Sequence, residues 1–63
     1  MGVNEEKIIN LIKNNPNITI FEMALLINVT ERTIERNISK LKKQGILRRI
    51  GSDKDRHWKI VIS

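Results

Sequence analysis

Sixty-three residues without a cysteine make one small domain and exclude both a disulfide framework and a thiolate zinc site. Phe21 and Trp58 are the only aromatics, too few for a single-strand stacking platform, and no apolar run nears the ~20 residues of a membrane span. Residues 1–31 hold two lysines against four glutamates (net −2), while residues 32–63 hold ten Lys or Arg against three acids (net +7), the lopsided charge expected of a polyanion binder.

Asn4 is the expected N-cap of a first helix over about 4–14, with Glu5 and Glu6 beside its positive end. Ile8, Ile9, Leu11 and Ile12 form its apolar stripe. Asn14-Asn-Pro-Asn17 breaks it, because Pro16 pushes Asn15 out of helical geometry. Ile18 should then be extended and lie beside a later strand.

Thr19-Ile-Phe-Glu22 has the spacing of a capping box, so a second helix should run over 20–27. Glu22 is its only charged residue, and the helix is expected to be largely buried. Asn28 suits the left-handed conformation that ends a helix. Thr30 then caps a third helix over about 31–44, with Val29 and Ile34 at the positions of a hydrophobic staple. A three-residue connection between two capped helices is the layout of a helix-turn-helix.

The third helix has two faces. At about 100° per residue, Ile34, Ile38 and Leu41 make one apolar seam, while Arg32, Arg36, Ser39 and Lys43 lie opposite. Lys40, Lys42 and Lys43 suit the negative end, and Gly45 can close it. Beyond Gly45 the pattern changes to β-branched and apolar alternation over about 46–62, interrupted by the polar loop Gly51-Ser-Asp-Lys-Asp-Arg56. The expected fold class is mostly α with a small β-hairpin (α+β), as one domain over 1–63. Trp58, Ile60 and Ile62 should face the helices.

These features resemble a winged helix-turn-helix DNA-binding domain over essentially the whole chain. The resemblance lies in LLINVT, in TERTIERNISKLKKQGIL and in the wing RRIGSDKDRHWKI. The chain is similar to small prokaryotic winged-helix regulators, including the Lrp/AsnC-type DNA-binding half. It is also similar to the C-terminal winged-helix domain of multidomain regulators, where an ERT-x-E-R-x-I-x-x-L helix precedes a GSDK-type wing.

That resemblance implies a cytoplasmic transcription regulator whose third helix enters the major groove of double-stranded DNA. Thr30, Arg32, Thr33, Arg36, Asn37 and Lys40 would face the groove. Arg and Asn can read guanine and adenine edges, whereas Lys40 and Lys43 suit phosphates. Ser52, Lys54 and Arg56 of the wing would meet a flanking backbone or minor groove, with Asp53 and Asp55 working against that contact. Arg48 and Arg49 occupy adjacent strand positions, so only one is expected to face DNA; Arg49 joins the candidates with that choice open.

No cofactor is expected. His57 has no second His or Cys with which to hold a metal, and Asp53-Lys-Asp55 cannot start a calcium loop whose twelfth residue would fall beyond residue 63. No phosphate-binding glycine loop or enclosed nucleophile–base pair is evident, so enzyme activity is not expected. The alternative function is a protein–protein interaction or assembly module on the same fold, which an exposed apolar patch would favour. Further expected partners are a second copy of the chain or another domain of a longer parent, the chain reading as an excised module or a small stand-alone protein.

Overall fold

The computed structural model describes residues 2–51 and 56–61. Three helices, α1 (Val3–Asn14), α2 (Ile20–Ile27) and α3 (Glu31–Lys43), precede the strands β1 (Leu47–Ile50) and β2 (His57–Ile60). The strands form an antiparallel hairpin in which Leu47 faces Ile60 and Arg49 faces Trp58. This is the expected three-helix fold with its C-terminal wing.

Local chemistry sets most of the boundaries. The Glu22 N–H donates to Thr19 Oγ1 at 3.1 Å, and the Thr19 N–H donates back to Glu22 Oε1 at 3.1 Å, completing the capping box of α2. Asn28 ends that helix in the left-handed region, at φ 65°. At the end of α3 the Ile46 N–H donates to Leu41 O and the Gly45 N–H to Lys42 O, a Schellman closure with Gly45 at φ 75°.

Two expectations are corrected. Asn4 is not the first cap: α1 begins at Val3 behind an extended Gly2, whose carbonyl accepts from the Glu6 N–H. Nothing stops the backbone of α1 from winding back through Asn4, and glycine is tolerated at an N-cap. Nor is α2 largely buried. Met23 and Ala24 face the core, but Phe21, Leu25 and Leu26 are 58%, 65% and 67% exposed. The packing of α2 against α1 and α3 engages only one arc of it, and its apolar residues extend beyond that arc, interrupted by Glu22.

The core joins Ile8 and Ile12 of α1, Ile18, Met23 and Ala24, Ile34, Ile38 and Leu41 of α3, Leu47 and Trp58. Each large aliphatic side chain there contributes roughly 1.5–3 kcal/mol by leaving water. Val29 packs against this cluster, which includes Ile34, its counterpart in the staple spacing. The connection between α1 and α2 lies beside β2: the Trp58 N–H donates to Pro16 O at 2.8 Å, and its indole N–H donates to Ile18 O at 2.9 Å. Trp58 and Ile60 share the inner face with Leu47, whereas Ile62 lies outside the described residues. Glu5, in the first turn of α1, is buried at 7% exposure, and its Oε2 has no hydrogen-bond partner among the described residues. None of the described helices is long and apolar enough to cross a membrane.

Candidate nucleic-acid interface

The seam of α3 dictates what its other face can do. With Ile34, Ile38 and Leu41 pinned in the core, the helix turns Arg32, Arg36, Lys40 and Lys43 outward, all exposed. Among the described residues none of these four has an ion-pair partner. Arg32, Arg36 and Lys40 succeed one another at four-residue intervals, an arrangement of like charges that destabilises a helix by about 0.2–0.5 kcal/mol per pair. The protein therefore carries an unneutralised cationic ridge at some expense to the helix itself.

One flank of that ridge is a hydrogen-bonded polar row. The Thr33 N–H donates to Thr30 Oγ1 at 3.2 Å, as capping requires, and the two threonine hydroxyls lie 3.0 Å apart. Asn37 Nδ2 donates to Thr33 O at 2.8 Å. That bond occupies one amide hydrogen and leaves Oδ1 and the second hydrogen for other partners. It also fixes the side chain of Asn37, which is half-buried, as is Thr33.

The hairpin separates the two adjacent arginines. Arg48 pairs with Lys59 on the outer face. Arg49 shares the inner face with Leu47, and its guanidinium carbon lies 4.0 Å from the centroid of the Trp58 ring. Lys42 reaches the same ring from α3, with Nζ at 5.8 Å. Burial, and then the neighbouring charge of Arg56, push the Arg49 guanidinium below its ordinary range. Arg56 itself is exposed at the entry to β2. Ser52 and Lys54, the other wing candidates, lie outside the described residues.

The family model of winged helix-turn-helix DNA-binding domains matches residues 3–48, most of the chain. The chain belongs to this family. No curated protein and no solved structure matches it.

The match covers all three helices of the winged helix-turn-helix and stops at Arg48, so the second strand of the wing rests on the structure and not on the family model. Two features of this domain go beyond what the sequence pattern predicts. Lys42 lies in the last turn of α3, as its charge suits, and in addition stands over Trp58. A signal existed: Lys42 follows Leu41 at the edge of the apolar seam, and Arg49 is two residues beyond buried Leu47. The exposed apolar arc of α2 had no comparable signal, because composition alone does not say which side of a helix finds a neighbour.

Proposed function

We propose that this domain reads double-stranded DNA for a transcription regulator of Lrp/AsnC-like or multidomain type, with α3 in the major groove and the wing on the flanking backbone or minor groove. The observation that carries this reading is the ridge of Arg32, Arg36, Lys40 and Lys43, exposed and unpaired among the described residues, on the side of α3 away from the core. Arg32 and Arg36 are assigned to base edges or phosphates, Thr30, Thr33 and Asn37 to the rim of the groove, and Lys40 and Lys43 to phosphates. Ser52, Lys54 and Arg56 of the wing, with Arg49 at its base, complete the assignment.

The test is fluorescence anisotropy of a labelled mixed-sequence duplex over a salt series, with the Arg32→Ala/Arg36→Ala variant beside the wild type. Four to six phosphate contacts would give a log–log salt slope of roughly −4 to −5. The variant should lose most of the binding while its stability stays within about 0.5 kcal/mol, since exposed side chains are being removed. Absence of wild-type binding at low salt would sink this reading.

A second reading is favoured by a separate observation. Phe21, Leu25 and Leu26 stand exposed on α2, and Leu26 borders an open hollow of about 260 Å³ also lined by Lys7, Asn10, Leu11, Asn14 and Ile27. An apolar set of this kind fits a contact with a second copy of the chain, through which the domain would act as an assembly module. It lies on the acidic half of the chain, so such a contact need not compete with the cationic ridge. Sedimentation equilibrium of the wild type and of Leu25→Ser/Leu26→Ser decides: a monomer at every concentration rejects this reading.

A further inference from the structure

We propose that the hollow between the last turn of α3 and β1, lined by Lys42, Leu47, Arg48 and Arg49, is a seat for a phosphate group, distinct from the outer face of α3. The expected source is a phosphodiester of a bound DNA strand, and to that extent the proposal rests on the DNA-reading function. The hollow is open, with a volume of about 310 Å³, and among the described residues that line it three are cationic and none is acidic.

Its position is separate from the groove-facing ridge. Lys42 projects roughly 90° around the helix from the line of Arg32, Arg36 and Lys43, so a group bound there lies to the side of anything seated on that ridge. Among the described residues, Lys42, Arg48 and Arg49 have no carboxylate partner. Like charges are thus gathered in a hollow where no described carboxylate balances them.

Three donors converge on the seat. Trp58 holds the Arg49 guanidinium 4.0 Å from its ring centroid, and a planar fork laid on an aromatic face loses less freedom when it binds an oxyanion than a free arginine does. Lys42 approaches the same ring at 5.8 Å and adds a second cation. The backbone adds a donor. The Trp58 N–H is directed away from β1, to Pro16 O. In an antiparallel ladder, facing residues direct their backbone groups either both toward each other or both outward. Arg49, which faces Trp58, therefore directs its N–H outward at the free edge of β1, beside the same side chains. Partial burial and the nearby Arg56 both disfavour the charged form of Arg49, a strain that a bound anion would relieve.

Trp58 is the only tryptophan and reports on its own neighbours. The experiment compares wild type, Lys42→Ala and Lys42→Gln, each checked for unchanged thermal melting, in two arms. In the first, anisotropy with unrelated duplexes over a salt series should show affinity falling roughly fivefold to tenfold in both variants, and the salt slope flattening by about 0.9, whatever the sequence. In the second, inorganic phosphate at matched ionic strength is titrated while Trp58 emission is followed.

Wild-type binding with an unchanged slope in both variants overturns the proposal and leaves the DNA-reading function standing. No duplex binding, but a Trp58 response to phosphate that Lys42→Ala abolishes, supports the seat with free phosphate as its source and removes the DNA-reading function. Failure in both arms overturns both.

Discussion

The Trp58 indole N–H, donated to Ile18 O at 2.9 Å in the core, shows how one side chain can serve three ends. Its ring fills the space under the wing, its nitrogen satisfies a buried carbonyl, and its π-face supports Arg49 and Lys42. Trp58→Phe keeps most of the apolar bulk but leaves Ile18 O without that donor. The variant should lose about 1–3 kcal/mol in urea unfolding, the penalty of an orphaned buried acceptor, while retaining its helical signal. The caps of Thr19, Asn28, Thr30 and Gly45 were legible in the sequence because each concerns partners within a few residues. Ile18 as the acceptor for Trp58 was not, since the two are forty residues apart. The burial of Glu5 was hidden for a related reason: a first-turn acid suits the helix dipole whether it faces water or protein.

At the level of elements, α3 illustrates how much a helix depends on its ends. Its N-terminus is closed by Thr30 and its C-terminus by Gln44, Gly45 and Ile46, so the apolar seam between them is held at a fixed rotation. Gly45 is at φ 75°, and a Cβ placed on it would meet nothing within 4 Å. Gly45→Ala should therefore cost about 1 kcal/mol from backbone strain alone, with no steric part, and Gly45→Asn less. Thermal melting of the two variants checks the order; equal melting would mean that the left-handed turn is not needed. The helices themselves were legible from periodicity and caps. The exposure of α2 was not, because Phe21, Leu25 and Leu26 look like core residues until the directions of α1 and α3 are known.

Across the whole molecule, charge and apolarity are sorted onto different parts. Most of the cations collect on α3, β1 and around β2, whereas Phe21, Leu25 and Leu26 stand exposed on α2, with Val3 exposed at the start of α1. If α2 joins two copies, DNA affinity should rise with protein concentration, and two half-sites about 10 base pairs apart should outperform a single one. Anisotropy with one-site and two-site duplexes measures this; equal affinity for both would argue against pairing. The two bonds from Trp58 to Pro16 and Ile18 have another consequence, in time rather than space. The helices can form from near neighbours, but these contacts must close a loop of roughly forty residues, an entropic debt that only a collapsed helical core can offset. A lone two-stranded hairpin is barely stable in water. The wing should thus be the last part to join during refolding, with Trp58 emission lagging the recovery of helical signal.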